Sequence, residues 1–167
     1  MGICYNTCAA RAKSSTSVVN FQMTIYLATD HAGFELKEKI KKFLIEKKYE
    51  VKDFGAFLYD ENDDYPDFVK LAAEAVSKNP VLSRGIVLGG SGQGEAMVAN
   101  RYKGVRAAVL YKLDESIIKL SREHNDANVL SLGARFLEEK DAIKAVELWL
   151  NTPFSGEERH SRRIAKF

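Results

Sequence analysis

The sequence predicts a three-layer α/β sandwich, in which a five-stranded parallel sheet is covered by helices on both faces. Two observations support this fold class. Short β-prone runs alternate with helical segments from Thr24 onward, and the connections between them are short. The runs are also apolar on both faces, as in 105-VRAAVLY-111, which is typical of strands buried inside a parallel sheet. The expected architecture is therefore Rossmann-like.

The first half of the chain is expected to form two strands and two helices. Strands over 24–29 and 50–55 flank a helix over 34–48. An acidic loop over 57–66 leads into a second helix that begins at Pro66, since proline is favoured in the first turn. Each helix has apolar residues three or four positions apart, which place them on one face that can pack against the core. These faces are Leu36, Ile40, Phe43 and Leu44 in the first helix, and Phe68, Leu71, Ala72 and Ala75 in the second.

Three further strands alternate with three helices in the second half. The strands are expected over 85–89, 105–111 and 129–134, and the helices over 96–101, 114–124 and near 138–151. Pro153 and Gly156 end the last helix before a basic tail. Because there is no internal repeat, residues 23–167 are expected to form one domain.

The composition of the chain excludes several classes of protein. Residues 1–22 contain no acidic residue and no long apolar centre, so a secretory signal is not expected. They are expected to be a disordered extension or the result of a start codon assigned upstream of Met23, and the alternative is a transit-like leader that is poor in Arg. No apolar run approaches the roughly 20 residues that a membrane span needs. The formal net charge is +2, which gives no reason to expect nucleic-acid binding. We therefore expect a cytoplasmic protein that binds neither a membrane nor nucleic acid.

The glycine-rich segment 89-GGSGQGEA-96 follows the third strand. A dinucleotide-binding loop would require Gly or Ala at position 95, which is Glu95, and the Gly-Lys-Ser/Thr of a phosphate-binding loop is absent. Backbone amides at the start of a helix can still bind an anion. Glu95 would repel a permanent anion, but it could remove a proton from carbon while the amides hold the resulting oxyanion. The equally supported alternative is an acidic residue that only stabilises the first helical turn.

Other polar residues follow the strand ends, where ligands bind in open parallel sheets. Asp30 and His31 follow the first strand, and Arg135 follows the fifth. Asp30 could be catalytic or could simply cap the next helix. His124 with Asn125 suits hydrogen bonding to a polar substrate, although His124 could also cap a helix. The three histidines lack the spacing of metal ligands, so no zinc site is expected.

The basic tail 159-RHSRRIAKF-167 offers a second kind of site. If it is helical, Arg159 and Arg163 lie one turn apart, and with Arg135 they could clamp a phosphate. The alternative is a solvated basic terminus. Nucleic-acid binding would favour interleaved aromatic residues, and Phe167 alone is nearby.

Together these segments resemble the ribose-5-phosphate isomerase type B family, which also includes galactose-6-phosphate isomerase subunits. The resemblance covers residues 23–167 and implies an isomerase that interconverts ribose 5-phosphate and ribulose 5-phosphate through a cis-enediolate, in the pentose phosphate pathway. It implies no metal or redox cofactor. The segments that carry it, in the family's order, are 30-DHAGFELK-37, 63-DDYPDF-68, 85-GIVLGGSGQGEAMVANR-101, 122-REHNDANVLSLGAR-135 and 159-RHSRR-163.

The resemblance also implies which residue is the base. Many members of the family carry a cysteine base at the position of Gly89. This chain is similar instead to the subgroup in which the glutamate of G-G-S-G-x-G-E is the base, which is Glu95 here. Ser91 and the amides over 92–95 would then hold the enediolate, and the glycine loop that contacts the substrate consists of Gly90, Gly92 and Gly94.

The remaining implied roles divide between ring opening and phosphate binding. Asp30 would move or orient the proton between the two substrate oxygens, and His124 assisted by Asn125 would open the sugar ring. The residues implied to bind the phosphate are His31, Arg135, Arg159 and Arg163.

Family members are homodimers or homotetramers with sites shared between chains, so His124, Asn125 and Arg135 could serve the Glu95 of a neighbouring chain. The open alternatives are an isomerase of a six-carbon sugar phosphate, such as allose or galactose 6-phosphate, and a noncatalytic phosphosugar-binding or nucleotide-sensing module.

Overall fold

A computed structural model describes residues 23–167 and contains one five-stranded sheet. All of its strands are parallel, in the order β2-β1-β3-β5-β4. This confirms the predicted α/β fold class. The prediction of a disordered extension over residues 1–22 lies outside the described residues. The strands are β1 (Thr24–Thr29), β2 (Glu50–Asp53), β3 (Ser83–Gly89), β4 (Ala107–Leu110) and β5 (Val129–Gly133).

Six α-helices connect or follow the strands. They are α1 (Phe34–Glu46), α2 (Tyr65–Lys78), α3 (Gln93–Ala99), α4 (Glu115–Glu123), α5 (Glu139–Asn151) and α6 (Glu158–Ile164). A short 3₁₀ helix over His31–Gly33 precedes α1. Helix α3 begins at Gln93 rather than at Ala96, because Gly92 already serves as its N-cap. The basic tail is helical in α6, as the phosphate-clamp interpretation requires.

Two hydrophobic clusters cover the two faces of the sheet and make the three layers. Helices α1, α4 and α5 pack on one face, where Trp149 is fully buried, and α2 and α3 pack on the other. The prediction that Leu71 lies in the core is wrong, since its side chain is 40% exposed. Helix α2 is rotated so that its buried stripe has the spacing i, i+3, i+4, i+7 from Val69. That stripe is Val69, Ala72, Ala73 and Val76.

The strand order determines where a site can form. After β1 the chain moves outward to β2 and then returns to place β3 on the other side of β1. Such a reversal leaves a crevice beyond the carboxyl ends of the two strands. The loops after β1, β3 and β5 therefore meet at one edge of the sheet.

A buried lysine fixes the loop beside the end of β1. The Lys37 side chain is fully buried, and its Nζ donates to both oxygens of Asp53 at 2.9 Å and to the Ala56 carbonyl at 2.7 Å. Ala56 in turn donates its N–H to the Thr29 carbonyl at 2.7 Å, one residue before Asp30. Burial opposes ionisation of Asp53, but hydrogen bonds from Lys41 and Lys37 outweigh it and lower its pKa.

Replacing Lys37 by Met is expected to lower the free energy of unfolding by about 3–5 kcal/mol, because Asp53 and the Ala56 carbonyl lose a buried partner. Urea denaturation at neutral pH measures this loss. Since the pKa of Asp53 is lowered in the folded state, its stabilising effect is present above its ordinary pKa and is lost as the pH falls through the folded value. The difference in free energy of unfolding between the variant and the wild type should therefore become smaller below about pH 4.

The matched control is Lys41→Met, which removes the other cation bound to Asp53. Lys41 is 32% exposed, so its replacement should lower the free energy of unfolding by less than that of Lys37. Equal losses for the two variants, or a Lys37 effect that does not depend on pH, would contradict this account.

Candidate active site

A cavity of about 450 Å³ lies beyond the carboxyl ends of β1, β3 and β5. It brings together residues that the sequence places in three separate segments. Asp30 and His31 follow β1, and Arg135 follows β5. The loop after β3 contributes Gly90 and Ser91, and the first turn of α3 contributes Gly94 and Glu95.

The glycine loop crosses the end of β5 so closely that a side chain at position 92 would not fit. A Cβ on Gly92 would lie 3.0–3.1 Å from backbone atoms of β5, and Gly92 has a positive φ of 77°. The buried Ser131 hydroxyl donates to the Gly92 carbonyl at 2.6 Å. The loop is therefore held against β5 and directs the first turn of α3 into the cavity.

Glu95 lies in that first turn, but it is only 4% exposed. Its carboxylate folds back over the end of β3, and a Cβ added at Gly89 would collide with it. A glutamate that only stabilised the helix terminus would have no need of burial. The position therefore favours the interpretation of Glu95 as a reactive group.

The two carboxyl groups of the cavity both hold protons more tightly than usual. Burial raises the pKa of Glu95, its own backbone N–H opposes this, and the charge of Asp30 raises it further. Burial likewise raises the pKa of Asp30, against hydrogen bonding from the Ala32 N–H at 3.0 Å. Asp30 thus has the capping role expected as an alternative and also lines the cavity. Paired carboxyl groups with raised pKa are typical of proton-transfer sites.

Two basic side chains line the same cavity. The Arg135 guanidinium is 3.4 Å from the position that a Cβ on Gly90 would take. His31 donates its backbone N–H to Asp63 at 2.9 Å, and its Nδ1 lies 2.8 Å from the same carboxylate oxygen. Arg135 and His31 are suitable donors for an anionic group such as a phosphate. Arg135 reaches the cavity of its own chain, so it does not need to serve a neighbour.

Four predicted site residues lie elsewhere in the same chain. His124 ends α4, which comes just before β5 begins, so it lies at the amino edge of the sheet. The five residues of β5 separate that edge from Arg135 by about 15 Å. The other three are Asn125, Arg159 and Arg163.

These residues cluster together at the amino edge. The His124 ring stacks on His160, with 4.1 Å between ring centroids and 15° between planes. Arg159 contacts both His160 at 3.1 Å and Glu157 at 2.9 Å. Asn125 lines a second cavity, of about 470 Å³. One chain alone therefore does not bring them to Glu95.

Sequence reasoning gave no role to Tyr65, Phe136 or Asp63, which lie in or beside the cavity. The Tyr65 ring covers Gly94 so closely that no side chain would fit there, and Phe136 lines the rim. Asp63 and Tyr65 belong to 63-DDYPDF-68, within which α2 begins at Tyr65. That position at the start of α2 was the available signal, but nothing in the sequence indicated which way the loop would fold.

Possible metal ligands are also present at this site. Over residues 23–167, the group of His, Asp and Glu side chains that could hold an ion consists of Asp30, His31 and Asp63, with ligand atoms within 4.8 Å of one another. His31 Nδ1 and Asp63 Oδ1 already lie within hydrogen-bond distance of each other, at 2.8 Å. The expectation of a metal-free site stays a prediction. In the same part of the chain, no helix combines the length and apolarity needed to cross a membrane.

Comparison with known proteins places these features in a family. The family model described as Ribose/Galactose Isomerase matches residues 25–167. Ribose-5-phosphate isomerase B of Mycolicibacterium paratuberculosis is 43% identical over 142 residues, which cover 85% of this chain and 87% of the relative.

Solved structures agree with this match. The crystal structure of ribose-5-phosphate isomerase B from Mycoplasma genitalium with bound ribulose-5-phosphate has a TM-score of 0.82 at 43% identity, covering 86% of this chain and 93% of that one. The type B ribose 5-phosphate isomerase of Trypanosoma brucei has a TM-score of 0.80 at 33% identity, covering 87% and 96%. The chain belongs to the ribose/galactose isomerase family.

Proposed function

We propose that this protein interconverts ribose 5-phosphate and ribulose 5-phosphate by moving a proton between adjacent carbons. The observation that carries this proposal is the buried Glu95 carboxylate, which shares a cavity with Asp30 and with the basic pair His31 and Arg135. Relatives named ribose-5-phosphate isomerase B, one of them solved with ribulose-5-phosphate, support the choice of sugar.

In the aldose-to-ketose direction, Glu95 removes the proton from carbon 2 of the open-chain sugar. The electron pair moves onto the carbonyl oxygen, and Ser91 with the loop amides stabilises the resulting enediolate. Asp30 carries the hydroxyl proton from one substrate oxygen to the other. Glu95 then returns its proton to carbon 1, so no redox cofactor is consumed. A raised pKa suits Glu95 to this task, because a general base works best when its pKa approaches the working pH.

The phosphate of the substrate would be bound by His31 and Arg135, which both line the cavity. We infer that a neighbouring copy of the chain supplies Arg159 and Arg163, and also His124 and Asn125 for ring opening. What supports this sharing is their position at the far edge of the sheet in the same chain. The proposed assembly is a homodimer or a homotetramer, and the cytoplasmic location remains a prediction. The role in the pentose phosphate pathway fits the matching relatives named ribose-5-phosphate isomerase B.

We further propose that this chain uses a glutamate rather than a cysteine base. Position 89 has no side chain, and the Glu95 carboxylate occupies the space that a side chain there would fill. A side chain at position 89 would therefore require the Glu95 carboxylate to move from its place.

Replacing Gly89 by Ala is expected to lower kcat by about 10²-fold, because the added methyl group displaces the Glu95 carboxylate. Steady-state kinetics with ribose 5-phosphate measures the change. In a Glu95→Gln background the same substitution should cost little more, since the base is already lost. A Gly89→Ala enzyme with normal kcat would show that the carboxylate position is not required.

The direct test of the activity is to incubate the purified protein with ribose 5-phosphate and follow ketose formation. The name of the matching family also includes galactose, which keeps an isomerase of a six-carbon sugar phosphate as the second candidate. Parallel assays with allose 6-phosphate and galactose 6-phosphate separate the two. Failure to form any ketose would favour a noncatalytic phosphosugar-binding module.

A further inference from the structure

Asp63 makes an unusual double contact with His31. One oxygen, Oδ1, accepts the backbone N–H of His31 at 2.9 Å and lies 2.8 Å from its ring Nδ1. The contact is well shielded, because the Asp63 side chain is 11% exposed and that of His31 is 24% exposed. The second oxygen of Asp63, Oδ2, is buried and makes no hydrogen bond within the described residues. Asp63 therefore directs its one hydrogen-bonded oxygen at a single residue, His31.

This contact fixes both the orientation and the chemistry of the His31 ring. Two bonds to one oxygen, from the backbone and from the ring, leave the ring little freedom to turn. The ring edge also meets Tyr59, with 6.3 Å between centroids and 80° between planes. Because Nδ1 is occupied by Asp63, Nε2 is the nitrogen available to a ligand in the cavity that His31 shares with Arg135.

We propose that Asp63 is a positioning residue that holds the His31 ring as an imidazolium with Nε2 available to the phosphate of the substrate. The proposal rests on the function proposed above, in which His31 binds that phosphate. Asp63 acts through His31 and does not itself touch the sugar, in the way that a carboxylate sets the tautomer and charge of a catalytic histidine.

The charges around His31 are consistent with this role. The hydrogen bond that the His31 ring donates to Asp63 raises the pKa of His31, burial lowers it, the charges of Asp30 and Asp63 raise it, and the charge of Arg135 lowers it. The adjoining cavity adds Glu35, Glu139 and Lys39, of which two are acidic. A phosphate monoester loses its second proton near pH 6. Between that pH and the raised pKa of His31, a dianionic phosphate therefore meets a cationic ring.

The variant that separates charge from shape is Asp63→Asn. An asparagine oxygen can still accept both hydrogen bonds, but it carries no charge to stabilise the imidazolium. Proton NMR then follows the His31 ring through a pH titration, which is practical because the chain has three histidines and a His31→Gln variant assigns the signal. Asp67→Asn is the matched control, since Asp67 is exposed and its ion pair is with Lys70.

In Asp63→Asn, the His31 pKa should fall toward its ordinary value, and the KM for ribose 5-phosphate should rise about tenfold above neutral pH while kcat changes little. The pH at which KM begins to rise should move down with the His31 pKa. Asp67→Asn should change neither quantity. An unchanged His31 titration, or a loss in kcat alone, would overturn the proposal.

The readouts also distinguish this proposal from the proposed function. If the wild-type protein formed no ketose, the isomerase function would fail, whereas the NMR titration would still decide whether Asp63 controls the charge of His31. If Asp63→Asn did not fold, the wild-type titration would serve instead. A His31 that titrates at or below the ordinary histidine pKa, with no upward shift on adding ribose 5-phosphate, would overturn the role of Asp63.

Discussion

Replacing Glu95 by Gln is expected to lower kcat by about 10²–10⁴-fold and to leave the KM for ribose 5-phosphate almost unchanged. Glutamine has nearly the same shape and fills the same buried space over Gly89. It cannot accept a proton from carbon 2, however, so the step that needs a base is lost while the contacts that bind the sugar phosphate remain.

Solvent exchange gives an independent measurement of the same step. In deuterated water the wild-type enzyme should incorporate deuterium at carbon 1 of the ketose, because the Glu95 carboxyl exchanges its proton with solvent before it returns one to the enediolate. Glu95→Gln should incorporate none, because it has no group that takes the proton from carbon 2. Glu74→Gln is the matched control, since Glu74 is exposed and pairs with Lys78 on the surface of α2. Normal turnover by Glu95→Gln would remove Glu95 from the mechanism, and a large rise in KM would assign it to binding instead.

Two inactive variants are expected to restore activity when they are expressed together. The first is Glu95→Gln, and the second is the double variant Arg159→Ala, Arg163→Ala, which should bind the phosphate poorly. In a mixed dimer, one of the two sites combines the intact Glu95 of one chain with the intact arginines of the other. Equal expression should therefore recover about a quarter of the wild-type activity.

Arg135 provides a control for this complementation experiment. Arg135 lines the cavity of its own chain beside Glu95, so a mixture of Glu95→Gln with Arg135→Ala leaves every site with one defect. That mixture should stay inactive. Recovery in both mixtures would show subunit exchange without a shared site, and recovery in neither would assign Arg159 and Arg163 to some role other than phosphate binding.

The fold could be predicted from the sequence because its signals are local. Short apolar runs such as 85-GIVLG-89 and amphipathic segments such as α1 identify strands and helices from a few neighbouring residues. The face of α2 that is buried could not be predicted in the same way. Leu71 and Val69 are both apolar, and which of them is buried depends on how the helix sits against β1 and β3.

The site could be predicted only where it follows from strand ends. Glu95, Asp30 and Arg135 were identified because parallel strands place their following loops at one edge. The Asp63 contact with His31 joins residues that are 32 positions apart, through a loop with no periodic pattern. Tyr65 covers Gly94 across a similar gap in the chain. Such contacts depend on tertiary packing, so a short pattern in one sequence does not predict them.

Any side chain at position 89 and a carboxylate at position 95 compete for one volume in the cavity. Under the glutamate mechanism proposed above, a cysteine introduced at position 89 of this chain would displace the Glu95 carboxylate, so an exchange of the base involves positions 89 and 95 together.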